Sequence, residues 1–241
     1  MTNLLVRVTL VCGLLSLAHG TAMAQTQPPP CSLLERPSLH VLMVSARTGC
    51  PLSAVIQVTT IQTLTDGTHI QKTFKALVYR DSLGRIRYET YAQTETVPNM
   101  IEISDPVDGF AYFVLPQKAA IACRHKLDQT PTSAKAGAQD RHTPTPEARI
   151  ATETLGSQQL EGLLTTGTRT TRTTPAGAEG NDRALTMVRE TWSSSDVGIS
   201  LLEKTSDPRN GDSEMRMTNL EQTEPEATLF QVPADYTIQD Q

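Results

Sequence analysis

The stretch from Ala54 to Tyr91 constrains this chain more than any other. Three extended runs, Ala54–Leu64, Thr68–Arg80 and Arg85–Tyr91, are separated by Thr65-Asp66-Gly67 and Asp81-Ser82-Leu83-Gly84. In the second run Ile70, Phe74, Ala76 and Val78 fall on one parity, and His69, Gln71, Thr73 and Lys75 on the other. The third run sets Ile86, Tyr88 and Thr90 against Arg85, Arg87 and Glu89. Side chains on a strand alternate between faces, so this period of two predicts strands with one buried and one wet face. Asp-Gly between alternating runs is a hairpin signal, because glycine accepts the positive φ of a tight turn. The three runs therefore predict an antiparallel meander.

The pattern continues downstream. Asn99–Ser104, Phe110–Leu115, Ala119–Cys123, Arg149–Leu155, Leu163–Thr174, Leu185–Trp192, Val197–Thr205 and Glu214–Glu221 are extended runs divided by Gly, Pro, Asn and Asp clusters. About eleven such runs and hardly a helix predict a mainly β fold, a curved antiparallel sheet forming an incomplete (half) barrel with few short helices. Phe110, Tyr112, Phe113, Val114 and Ile121 are the densest core candidates. Pro225 to Phe230 is expected to make one helical turn, since proline suits a first helical position. The segment from His125 to Ala148 is rich in Thr, Pro, Ala, Gln and charge, with no apolar period, and is expected to be a mobile loop.

The first residues carry an address. Arg7, the apolar run from Val8 to Ala18 and the small-x-small triplet Ala22-Met23-Ala24 predict a signal peptide over residues 1–24. Residues 25–51 then form a leader that is Pro-rich at its start, and 52–241 a single β domain. No other run approaches the ~20 apolar residues of a membrane-crossing helix. The expected location is periplasmic or secreted. A net charge of −5 argues against nucleic acid as a partner.

Export puts Cys31, Cys50 and Cys123 in an oxidising compartment. Three single bridges are possible among them, and spacing does not choose. Cys31–Cys50 closes the shortest loop and is the expected pair, with Cys123 a buried free thiol packed as a small hydrophobe. Cys123-Arg124-His125 with His142 is the one cysteine–histidine cluster, and it lacks the ligand spacing of a metal site or an oriented base for a nucleophile. Asp105–Gly109 and Asp207–Asp212 offer oxygens to a hard cation, but Asp-Pro and Asn-Gly are what turn geometry requires. The pairs Arg85/Arg87 and Arg169/Arg172 are expected on a solvated face. No phosphate loop, dinucleotide fingerprint or nucleophile elbow occurs, so no cofactor and no enzymatic activity are expected.

Asn181-Asp182-Arg183, Trp192, Asp207-Pro208-Arg209-Asn210-Gly211 and Phe230-Gln231-Val232-Pro233-Ala234-Asp235-Tyr236 resemble secreted bacterial proteins of the LolA-like superfamily, which includes periplasmic lipoprotein carriers and envelope-stress regulators. The resemblance implies an incomplete β-barrel of about eleven strands, with helices over its open side. It also implies that Trp192 turns inward against Leu229 and Phe230. The motif-poor, loop-rich sequence favours binding over catalysis, and the leading expectation is a non-enzymatic binding domain for a lipid-like or amphiphilic ligand, or a lipoprotein, on the concave face of the open sheet. The alternative is an envelope module that binds a protein partner through an exposed edge strand. No long amphipathic helix suited to a lid is legible, and aromatics amount to only 4%, few for a greasy lining. Sequencing the N-terminus of the exported protein is expected to return Gln25; Met1 or Thr2 would refute the signal peptide.

Overall fold

The computed structural model describes Cys31 and residues 44–92, 95–116, 120–127 and 148–240. Twelve strands form one curved sheet that does not close into a barrel. In chain order they are β1 (Leu52–Thr63), β2 (His69–Arg80), β3 (Ile86–Tyr91), β4 (Met100–Asp105), β5 (Phe110–Val114), β6 (Ile121–Lys126), β7 (Arg149–Leu160), β8 (Leu163–Thr174), β9 (Leu185–Ser194), β10 (Ile199–Asp207), β11 (Gly211–Glu221) and β12 (Thr237–Asp240). Their order across the sheet is β12-β6-β5-β4-β3-β2-β1-β11-β10-β9-β8-β7. Eleven correspond to the runs read from the sequence. The twelfth, Thr-Ile-Gln-Asp, is too short and polar to show a period, and it adds in parallel to β6.

Local chemistry sets the hairpins. Glu161 and Gly162, with φ of 47° and 77°, turn β7 into β8 in two residues, the geometry whose twist matches that of paired strands. Gly156, expected to end a strand, instead lies within β7 beside a break in register with β8. Such a bulge lets the strand continue while bending it.

The sheet buries apolar side chains on both faces. On the first face, Leu52, Ala54 and Ile56 of β1 meet Ala76 and Val78 of β2, Ile86 and Tyr88 of β3, and Met215 and Met217 of β11. Val44, Val197, Ile199 and Leu201 complete this cluster. The predicted centre around Phe110–Ile121 is thus secondary to a larger one over β1, β2, β10 and β11. On the second face, Ile101, Ile103, Val114 and Ala122 are capped by Phe230 from the helical turn Ala227–Phe230, with Leu229, Val232 and Tyr236 beside it. This cover explains why Arg87 and Glu89, expected to be wet, are buried. Arg87 Nε donates to Glu89 at 2.6 Å and its Nη1 donates to the carbonyl of Leu229 at 2.9 Å. Arg85 lies over the Phe230 ring and pairs with Asp81. The covering segment lies about 140 residues away in the chain, beyond any local pattern.

Two expectations need correcting. Cys31 bonds to Cys123, across 92 residues of sequence, and Cys50 is the free thiol. Cys123 points from β6 to the first face, where it meets Cys31, Phe113, Met100 and Ile121. Cys50 sits instead near the β9–β10 turn, close to the carbonyl of Asp196. Closing so long a loop stabilises the fold by about 4–5 kcal/mol in the chain-entropy model, more than a local bridge would. Trp192 does not join Phe230. It stands on β9, opposite Gly167 of β8, and a Cβ on that glycine would come within 2.7 Å of the indole. The glycine is the indole's seat.

Arg80, fully buried at the end of β2, holds three segments together. Its Nε, Nη1 and Nη2 donate to the carbonyls of Cys50, Ser45 and Val197 at 2.8, 2.9 and 2.9 Å. Leucine at this position would leave three carbonyls facing apolar neighbours. Arg80→Leu is expected to cost about 3–5 kcal/mol, seen as a lower urea midpoint with the single tryptophan as reporter.

Candidate binding surfaces

The residues singled out for metal or nucleophilic chemistry do not converge. His125 lies in β6 and stacks on Phe113, with ring centroids 5.1 Å apart, while Cys123 is in the disulfide. His142, the expected signal peptide and the expected mobile segment, apart from that segment's ends, lie outside the described residues. The aspartate turns are filled by their own chain. Asp105 Oδ1 accepts from the amides of Val107 and Asp108, and Asp207 Oδ1 from the amide and Nε of Arg209. These are the bonds that make aspartate a turn residue. Among the described residues no three His, Cys, Asp or Glu side chains are grouped to hold a metal ion.

Register places a charge ladder across the second face that spacing could not reveal. Glu214, Lys204, Glu190, Arg169 and Glu153 are successive neighbours on β11, β10, β9, β8 and β7. Arg169 contacts Glu190 at 2.6 Å and Glu153 at 2.7 Å, and Lys204 contacts Glu214 at 3.5 Å. These carboxylates are why the Arg169 guanidinium is held more firmly charged than usual. A groove of about 500 Å³ runs beside the ladder, lined by Thr59, Ile61, Val188, Glu190, Lys204 and Glu214. Its charges already answer one another, which leaves little net field to recruit an ion.

One carboxyl oxygen is unanswered among the described residues. Glu102 on β4 is 6% exposed, faces Tyr88 across the strand pair, and its Oε2 has no hydrogen-bond partner among the described residues. Burial pushes its pKa from 4.5 up to about 7. Burial likewise raises the Tyr88 hydroxyl to about 12, with Glu102 adding to the effect.

The open surfaces are edges. β7 pairs only with β8, so its other side is unpaired among the described strands. It is interrupted at Gly156 and carries Arg149 and Glu153, features that blunt an edge. At the other end of the sheet β12 pairs only with β6, over four residues. A third edge is hidden inside the sheet. β2 pairs with β1 along its whole length, without a break in register, but with β3 only from Lys75 to Arg80. His69–Phe74 therefore projects beyond β3. The amide of Leu64 donates to the carbonyl of Thr68, a bonded pair that aims the backbone groups of residues 70, 72 and 74 at β1. Those of His69, Gln71 and Thr73 point to the side where no described strand pairs. Phe74 is 52% exposed and Ile70 39%, on either side of Lys72. Both share the parity of the buried Ala76 and Val78, as expected, but the apolar cover ends before it reaches them.

No family model and no curated protein matches the chain. Solved structures do. An uncharacterized conserved protein from Thermus thermophilus aligns over 80% of this chain and 91% of its own, with 10% identity and a TM-score of 0.44. The Pseudomonas aeruginosa MucA/MucB complex aligns over 79% of this chain and 58% of the matched chain, at 13% and 0.41. A LolA superfamily protein of Nitrosomonas europaea aligns over 79% and 93%, at 7% and 0.35. At such identities the likeness lies in the arrangement of strands, and this chain's ligand is left to its own surfaces.

Glu102 makes a pH signature. A carboxyl whose folded pKa lies above its unfolded value binds its proton more tightly when folded, so its contribution is full below about pH 4.5, falls as pH rises to about 7, and is level above that. The loss is on the order of 3 kcal/mol. Glu102→Gln is expected to remove this decline and raise the urea midpoint at pH 8.

Proposed function

We propose that this protein is a non-enzymatic binding domain that works outside the cytoplasm, and that its ligand is a polypeptide. The observation that carries this reading is that the two main apolar clusters of the sheet are filled by its own chain, while strand edges stay unpaired among the described strands. Val44, Val197, Ile199 and Leu201 close the first face, and Phe230 and its neighbours close the second over β3–β6. A lipid-like or amphiphilic ligand needs a continuous apolar cleft. The groove beside the ladder has apolar walls, Ile61 and Val188 among them, but Glu190, Lys204 and Glu214 interrupt it. A polypeptide needs only free main-chain groups and a few side-chain seats, and unpaired strand edges supply both. The Cys31–Cys123 bridge supports an oxidising location. Among the described residues no helix is long and apolar enough to cross a membrane.

The test sets two ligand classes against each other on the full mature chain. A library of random twelve-residue displayed peptides is expected to enrich for binders, while a dansylated fatty acid is expected to show no saturable binding. Saturable uptake of the fatty acid with no peptide enrichment would overturn the reading.

A further inference from the structure

We propose that the projecting half of β2, His69–Phe74, is the docking edge, and that it receives an extended partner strand carrying the pattern apolar, acidic, apolar at alternate positions. This rests on the polypeptide reading and names its site and the chemistry of its partner.

The three unpaired edges differ in how they are defended: β12 is only four residues long and its Asp240 is tied to Arg124. Natural sheets protect an edge from unwanted pairing by bulges, charges or proline. β7 has Arg149, Glu153 and a register break at Gly156. His69–Phe74 has one charge, Lys72, but no proline and no break in register with β1, and it leaves a phenylalanine half in water. Of the four phenylalanines, Phe74 alone is exposed. Retaining it there costs solubility, which a binding role offsets.

The space suits one short strand. The pairing of β3 ends at Tyr91 opposite Lys75, and no described strand pairs with His69–Phe74 beyond it; the incoming strand is placed along that stretch. Six residues at ~3.4 Å each make a ladder of about 20 Å. The amides and carbonyls of His69, Gln71 and Thr73 supply the main-chain bonds. Side-chain selectivity comes from the first face, where Ile70, Lys72 and Phe74 stand in a row. Apolar side chains fit opposite Ile70 and Phe74, and a carboxylate fits opposite Lys72. The second face offers His69, Gln71 and Thr73, which ask only for polar neighbours.

Charge sets the sign of the partner. Residues 69–75 contain Lys72 and Lys75 and no acid, in a chain of net charge −5. The neighbouring β1 residues, Thr59 to Thr63, are uncharged. Pairing with a second copy would place two Lys72 side chains on one face of the same short ladder, which disfavours self-association. The free protein is therefore expected to sediment as a monomer, and a dimer abolished by Thr73→Pro would replace the proposed partner with a second copy.

The decisive probe is a capped, fluorescein-labelled peptide in which valine, glutamate and valine alternate with threonine, read by anisotropy. The expected result is saturable binding that is at least tenfold weaker when lysine replaces the glutamate. Thr73→Pro removes one outward amide that pairs with no described strand, together with the long 3.4 Å contact between the Thr73 and Thr59 hydroxyls, at an edge position where proline is tolerated. It should abolish binding while leaving the urea midpoint nearly unchanged. Lys72→Glu should exchange the preference, favouring the lysine peptide. Should Thr73→Pro prove destabilised, this exchange still decides. Failure of the peptide to bind, or equal binding by both variants, overturns the β2 edge. Library peptides that bind Thr73→Pro as well as the parent would leave the polypeptide reading standing on another surface, whereas fatty-acid uptake without library binders would remove both.

Discussion

The fold depends on a buried cation. Arg80 ends β2 with its guanidinium fully out of water and no carboxylate among its hydrogen-bond partners. Desolvation lowers its pKa, but arginine titrates so high that the charge persists. Three carbonyls, from Ser45, Cys50 and Val197, answer it with charge-assisted bonds. Those carbonyls belong to the leader and to the β9–β10 turn, which are distant in sequence. Around them, the amide of Ser45 donates to the carbonyl of Gly198, and Val44 bridges Ile199. The arginine thus fixes the closure of the first-face core. A fork of donors reaches all three acceptors, as an ammonium at this site would not.

From that clasp the covering of the sheet follows. The disulfide pins Cys31 to β6, while Val44 reaches β10, so these two residues ahead of β1 meet the first face. The C-terminal segment covers the second face over β3 to β6 and then adds β12 to the edge at β6. Strands near the middle are therefore dry on both sides, as the burial of Arg87, Glu89 and Glu102 beside apolar neighbours shows. The far end of the β1–β2 hairpin lies outside both covers. Its exposure is a consequence of where the covers stop, and it is there that main-chain groups and apolar side chains are offered together.

The charged ladder illustrates how electrostatics is used elsewhere on the sheet. Alternating signs on β11 to β7 satisfy one another across strands, each exposed pair adding little to stability. Their value lies in register and in keeping the broad wet face from attracting ions or other sheets. The contrast with the lysine-bearing, acid-free stretch around Lys72 separates a surface that is closed to partners from one that is open.

Local architecture was legible in the chain alone. Alternation in Ala54–Tyr91, the Asp-Gly turns and the spacing of later runs specified eleven strands and their hairpins, because strand periodicity and turn geometry are properties of a few adjacent residues. The same patterns placed Phe230 inward and His69 outward, and they marked Asp105 and Asp207 as turn formers. Long-range packing set the rest. Cys31 chose Cys123 over Cys50, Trp192 settled on Gly167, Arg87 and Glu89 went under Leu229, and Thr237–Asp240 became a strand. Each of these depends on residues tens to more than a hundred positions away. The candidate site divides in the same way. The alternation of Ile70, Lys72 and Phe74 was legible, but their exposure was not, because it follows from β3 ending six residues short of the β1–β2 turn, a difference in strand length that appears only when the strands are laid side by side.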